Sequence, residues 1–253
     1  MNAQTGSAEK PLARRLVVAG FVLALVCAFA AVFSGIGYQL GLWHFRTGFQ
    51  IIRWSFVAAI AAVVLSVFGL AISRKTQSIV VMSVVGIIIG GITVYIPLSW
   101  KKTLDAHPYI HDITTDMENP PQFVVVESVR GPDDHPVIYD GPEVAAQQRE
   151  AHPDLQPLIV EASAVSVFEA ATRVVDSMGL ELVDASQTDL RVEATDTTLL
   201  YGFKDDIVVR IVALDGTTQI DVRSKSRVGR SDLGQNAKRI RKFVALLKAE
   251  LAG

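Results

Sequence analysis

Only one cysteine, Cys27, occurs in 253 residues. No internal disulfide can form, and one thiol argues against a cysteine-based metal site. Catalytic signatures are equally sparse. There is no Gly-x-Ser-x-Gly elbow, no His-Glu-x-x-His pair and no G-x-x-x-x-G-K-[ST] phosphate loop. Acids are almost missing from the first hundred positions, where residues 1–102 carry nine Lys/Arg and one acid, Glu9. Residues 103–222 reverse this with six Lys/Arg and 23 acids, and residues 223–253 return to nine against two. The net charge of −2 therefore conceals three blocks of opposite sign. Half of the residues are hydrophobic and the mean hydropathy is +0.34. That is too apolar for an ordinary soluble domain and too polar for a chain lying wholly in a membrane.

Charge is absent from three long runs, residues 16–45, 54–72 and 76–100. A span needs about 20 apolar residues, so residues 16–100 are predicted to form three transmembrane helices. Lys10, Arg14 and Arg15 precede the first run, and Arg74 and Lys75 join the second to the third. Trp43, Trp54, Tyr95 and Trp100 fall near run ends, where interfacial aromatics sit. The basic N-flank predicts residues 1–15 in the cytoplasm and everything after the third span outside it. Ala28-Phe29-Ala30 offers an alternative, a signal-peptidase site whose cleavage leaves two spans and the same orientation. Val26 before Cys27, where a small residue is wanted, argues against lipidation. Gly37/Gly41 and Gly86/Gly90 each form a G-x-x-x-G, a candidate for close helix packing.

Eight of the ten prolines lie between Pro108 and Pro157. Short apolar runs such as 123–126 and 137–139 interrupt them, and residues 101–156 therefore read as an extended, mostly irregular connector with one or two short strands, packed on the C-terminal domain. From residue 157 to 253 the pattern becomes regular. A short strand is expected at 158–161, then a helix capped by Ser163 with Ala164, Val167, Phe168, Ala171, Val174, Val175 and Met178 on one face. Glu169 and Arg173 are spaced for an i,i+4 pair. Strands are expected next at 181–185, 190–195, 207–214 and 218–224, alternating apolar and polar as sheets with one buried face do. Asp215-Gly216 marks a hairpin. A last helix begins near Ser231 or Asp232, with Leu233, Ala237, Ile240, Val244, Leu247 and Leu251 as its stripe. The order β-α-β-β-β-β-α implies an α+β domain, an antiparallel sheet of about five strands with two helices on one face.

Two segments, VEATDTTLLYGFKDDIVVRI and IDVRSKSRVGRSDLGQNAKRIRKF, resemble the bacterial and plastid domain-of-unknown-function family 1499. His111-Asp112-Ile113-Thr114-Thr115-Asp116, Asn119-Pro120-Pro121-Gln122-Phe123 and His152-Pro153-Asp154-Leu155 resemble its membrane-attached branch. The resemblance spans about residues 105–250. It implies the fold and a bacterial inner-membrane setting, and it supplies no catalytic residue.

The most unusual stretch is RSKSRVGR, residues 223–230. Alternation puts Arg223, Lys225 and Arg227 on one strand face, and Arg230 and Ser231 lead into the last helix. Two readings stand. The row is an anion site for a phosphate, carboxylate or lipid headgroup beside a helix N-terminus, or it pairs with the acidic block and supports the sheet. Asp232, an acid already at the helix start, favours the second. Asp205 and Asp206 are candidate acidic partners of the row, or an acid–base pair. His107 and His111, with Asp112 and Asp116 nearby, have helical metal-ligand spacing, but Pro108 between them argues against zinc. No metal and no cofactor are predicted. The basic tail has no interleaved aromatics, which disfavours nucleic acid. The functional expectation is a membrane-anchored binding or interaction module, its domain on the extracytoplasmic face of the inner membrane near anionic lipid or an envelope protein. The alternative is an envelope enzyme or ligand-binding protein acting on an anionic substrate through residues 223–230.

Overall fold

A computed structural model describes residues 11–72 and 76–253. The chain divides into two compact units, Met1–Lys102 and Thr103–Gly253.

The first unit holds three helices, α1 (Pro11–Gln39), α2 (Phe45–Ile72) and α3 (Gln77–Asp105), each long and apolar enough to cross a membrane. The chain is a membrane protein with these three N-terminal helices. Their buried residues recur in alternating steps of four and three. The series runs through Ala13, Val17, Gly20, Ala24 and Cys27 on α1, before Ser34, Gly35 and Gly37 break it at the helix end, through Gly48, Ile52, Ser55, Ala59, Ala62, Ser66 and Gly69 on α2, and through Ile79, Ser83, Gly86, Gly90 and Thr93 on α3. This is the 3.5-residue seam of left-handed helix packing, written mostly in small residues that let backbones approach. At the centre, a Cβ on Gly20 would stand 2.6 Å from the Ser66 hydroxyl and one on Gly86 2.7 Å from it. Gly86 and Gly90 therefore do serve close packing. The Gly37/Gly41 pair does not. Gly37 is covered by the Trp43 ring, while Gly41, at φ +70, lies past the end of α1 in open space. There it closes the helix, its N–H and that of Leu42 donating back to Tyr38 and Gly37.

The second unit is an α+β domain. Its elements are β1 (Asp112–Thr114), a 3-10 turn (Val126–Val129), α4 (Pro142–Ala151), β2 (Leu158–Val160), α5 (Ala164–Ser177), β3 (Glu181–Ser186), β4 (Arg191–Thr197), β5 (Lys204–Ala213), β6 (Thr218–Ser226) and α6 (Gln235–Ala252). The six strands are antiparallel in the order β1-β6-β5-β4-β3, and β2 also pairs with β6. Helices α5 and α6 bury Val167, Val174, Ile240, Phe243 and Leu247 against Ile207, Val209, Ile220 and Val222 of the sheet. Ser163 caps α5 by accepting from the Ser166 N–H at 3.1 Å.

The structure differs from the sequence-based expectation at several points. The sixth strand, β1, is a short strand of the connector, and it forms at the start of that segment. The apolar runs 123–126 and 137–139 form no strand, since their backbone groups are taken by side chains of the sheet. A ten-residue helix, α4, occupies part of the connector. Its Gln148, fully buried, accepts from the Thr114 N–H at 3.0 Å and donates to the Thr114 carbonyl at 2.5 Å, closing the free edge of β1. Arg173 bonds Glu250 of α6 at 2.7 Å rather than Glu169. Helix α6 starts at Gln235, a turn later than Ser231 or Asp232, because Leu233 and Gly234 take left-handed conformations. A Cβ on Gly234 would also collide with the His107 ring. The largest difference concerns burial. Strands β4, β5 and β6 are buried on both faces rather than one.

Candidate functional site

The second face of the sheet is built from charge. Strand alternation sends Arg223 and Lys225 of β6, with Arg227 just past its end, Asp206 and Arg210 of β5, Arg191, Glu193 and Thr195 of β4, and Asp112 of β1 to the side away from α5 and α6. Register places Asp206 opposite Lys225, Arg210 opposite Asp221, and Asp112 opposite Lys225. Arg223, Lys225, Asp112, Asp206 and Glu193 are all fully buried. Their cover is the segment 120–140, which lays Pro121, Phe123, Val126, Val137 and Tyr139 over them.

Each charge is answered. Arg223 gives Asp112 two hydrogen bonds of 2.8 Å, and donates to the Pro121 and Val137 carbonyls at 3.1 and 2.8 Å. Its guanidinium lies 5.0 Å from the Phe123 ring centroid and 5.4 Å from that of Tyr139. Lys225 donates to the Ile138 carbonyl and to Asp140, both at 2.6 Å, and sits 3.2 Å from Asp112. Asp206 is held between two guanidiniums. It accepts from Arg227 Nε and Nη2 and from Arg130 Nε, all at 2.9 Å, and from the Thr195 hydroxyl at 2.7 Å. Glu193 accepts three successive backbone N–H groups, of Val124, Val125 and Val126, at 2.7, 3.0 and 2.8 Å. Such a run of N–H groups is an anion nest, and here the protein's own carboxylate fills it. Arg191 Nε stands 2.9 Å away on the other side of Glu193. Burying any one of these charges alone would cost several kcal/mol, so the cover and the sheet face are conditional on each other.

At the rim, the His111 ring lies against His135, tilted by 33° with centroids 4.2 Å apart, and its Nε2 is 3.4 Å from Asp140. Burial lowers the His111 pKa, with Asp140 opposing. Burial pushes the Tyr139 phenol up to about 12, aided by Asp112.

Asp205 and Asp206 are neighbours in sequence and face opposite sides of the sheet. They form no acid–base pair. Asp205 bonds Arg239 of α6 at 2.7 Å on the helix side, where Arg239 also holds Asp196 at 2.7 Å and reaches Asn236 and Ser224. Desolvation pulls the Arg239 pKa down, but Asp205 and Asp196 outweigh it and the net shift is upward. Of the residues singled out in 223–231, only Arg223, Lys225 and Arg227 come together. Arg230 is exposed and outside the network. The Ser231 hydroxyl lies 3.5 Å from the Pro108 carbonyl and accepts from the Leu233 N–H. The anion position before α6 is held by Asp232, which accepts from the Gly234 and Asn236 N–H groups. His107 faces the Thr103 carbonyl at 2.8 Å and Asp112 is committed to Arg223, so the two histidines do not share a ligand set. Among the described residues no His/Cys/Asp/Glu group is arranged to hold a metal.

Sequence reasoning did not single out Arg130, Asp140, Glu193 or Arg239. Their signal was the charge blocks. A domain with 23 acids before residue 223 and nine basic residues after it must bring the two together.

The family described as a protein of unknown function, DUF1499, matches residues 112–247, and the chain belongs to it. The match opens at Asp112, the partner of Arg223, closes at Leu247, a buried residue of α6, and contains the whole network. No curated protein matches the chain.

Proposed function

We propose that this DUF1499 protein is a membrane-anchored binding module, which presents its α+β domain on the extracytoplasmic face of a bacterial inner membrane to an envelope partner. The observation that carries this reading is the closure of its charged groups. A general acid or base needs a lone pair or proton directed at substrate. Asp206 spends its oxygens on Arg130, Arg227 and Thr195, and both Glu193 oxygens are bonded to backbone N–H groups. Arg223, Lys225 and Arg227 are likewise bonded to acids and carbonyls inside the domain. An anionic substrate at this row would have to displace Asp112 and Asp206 together with the cover, which disfavours the enzyme reading.

The side of the membrane rests on Lys10, Arg14 and Arg15 before the first span. Reporter fusions after Lys102 test it. A reporter active only outside the cytoplasm is expected to work there, and one active only inside is expected to work after Lys75. The reverse pattern overturns the orientation. The binding reading is tested by crosslinking in intact cells followed by mass spectrometry. Neighbours recovered through residues 103–253 and lost from a chain ending at 102 support it. A chain whose domain yields no crosslinked neighbour opposes it.

A further inference from the structure

We propose that the membrane unit binds one anionic glycerophospholipid, with its phosphate at Arg14 and Arg15 and an acyl chain in the groove between α1 and α2. This goes beyond the binding-module reading and does not depend on which side the soluble domain occupies. The groove has a volume of about 970 Å3 and is lined by Arg14, Arg15, Val18, Val22 and Val26 of α1 with Leu65 of α2. From Arg14 to Val26 a helix rises about 18 Å at 1.5 Å per residue. One leaflet of a hydrocarbon core about 30 Å thick occupies about 15 Å. The groove thus has the length of one leaflet, with its charged end at the interface.

The apolar walls accept any lipid chain, and the arginines select the headgroup. Residues 11–102 contain no Asp or Glu, so neither guanidinium has a carboxylate within the described part of this unit. Both are exposed. An unanswered pair of arginines at a membrane surface is a site for anionic lipid, and Arg forks match phosphate oxygens. Arg14 also lines a second groove of about 400 Å3, between α1 and α3, with Val17, Val18, Ser78, Ile79 and Met82. Two grooves meeting at one arginine fit a lipid with two chains and one charged headgroup.

The test uses the full chain purified in a mild non-ionic detergent, given phosphatidylglycerol and phosphatidylcholine in equal amounts, and read by native mass spectrometry. One phosphatidylglycerol per chain is expected, preferred roughly thirty-fold for two arginines near the surface, and less so at high salt. Arg14→Gln with Arg15→Gln is expected to abolish the preference, and Arg14→Lys with Arg15→Lys to keep most of it. Those arginines also bear on insertion, so a second variant leaves them in place. Val22 is half-exposed in the groove, and Val22→Trp fills the groove without disturbing the helix seam. It is expected to lose the bound lipid. Equal retention of the two lipids by the native chain overturns the proposal. So does a preference that survives Val22→Trp, which would make the arginines a diffuse basic surface. A dimer that holds no lipid and dissociates in Val22→Trp would assign the groove to a second copy and overturn it as well.

Discussion

Replacing Arg223 by alanine tests whether the buried charges hold the cover on the sheet. The substitution removes two 2.8 Å bonds to Asp112, two bonds to the Pro121 and Val137 carbonyls, and the cation between the Phe123 and Tyr139 rings. It leaves Asp112 fully buried with Lys225 at 3.2 Å as its remaining ionic partner. Removing one member of a buried pair costs about 3–5 kcal/mol, a large share of the roughly 5–15 kcal/mol that stabilises a domain. For a domain of this size each kcal/mol lowers Tm by about 2–4 °C, so the loss is on the order of 10 °C. The assay is thermal and urea unfolding of residues 103–253 followed by circular dichroism. Limited proteolysis with mass-spectrometric mapping runs beside it. Cleavage between residues 121 and 140 is expected in Arg223→Ala before the remainder of the domain unfolds. Arg230→Ala, at an exposed position outside the network, is the control and is expected to stay within about 0.5 kcal/mol of the native chain. If Arg223→Ala costs under about 1 kcal/mol and residues 121–140 resist protease, the cover is held by its apolar contacts and not by charge.

In the membrane unit, Gly20→Val is expected to lower the thermal midpoint of the detergent-solubilised chain by an overpacking cost of about 1–3 kcal/mol. Its Cβ would meet both Ser66 and the Ala62 carbonyl. Gly91→Ala, which meets nothing within 4 Å, is expected to be neutral or slightly stabilising, and equal effects at the two sites would refute the assigned seam. Burial lowers the pKa of His111 and also that of His152, where Arg241 adds to the effect. The unfolded chain therefore takes up protons near about pH 6.5 that the folded domain refuses. The sign is set by linkage: stability is full above that pH and falls as pH drops below it. The urea midpoint between pH 7 and 5 is expected to fall less steeply in His111→Phe with His152→Phe, and an unchanged slope would refute this source.

The parts of the fold that depend on periodicity were legible in the sequence. Uncharged runs marked α1, α2 and α3, and helical and two-residue periods marked α5, α6 and β2 to β6 in order. Boundaries moved where charge reached across strands. Strand β5 begins at Lys204 and β6 continues to Ser226, because Asp205 and Asp206 have ladder partners in Ser226 and Lys225. Apolar content alone puts the start of β5 at Ile207. Helix α4 carried ordinary marks that the surrounding prolines obscured, with Pro142 at its first turn, Glu143 beside it and Arg149 in its last turn. Strand β1 carried none. Three residues, Asp112, Ile113 and Thr114, become a strand only because β6 offers them an edge over a hundred positions later.

The candidate site was hidden for the same reason. Charged residues at alternate strand positions ordinarily mark a solvent face, and Arg191, Glu193, Arg223, Lys225 and Arg227 read that way. Their burial is a non-local fact, imposed by residues 120–140. The connector, in turn, could not be read as cover from its own composition, since its backbone bonds go to Glu193, Arg223, Lys225 and Arg227 rather than to a strand partner. What the sequence does contain is the balance. Like charges in a row, as at 223, 225 and 227, are tolerated in a sheet only when neutralised. The surplus of acids upstream meant that the protein itself could supply the neutralising groups. Charge balance thus separates the two readings of the row without any knowledge of the cover. An anion site for an outside ligand would leave basic residues in excess on their own face. Here the three are met by Asp112, Asp140 and Asp206, each within 3.2 Å of a basic atom. Arg14 and Arg15 stand in contrast, since residues 11–102 hold no Asp or Glu to answer them.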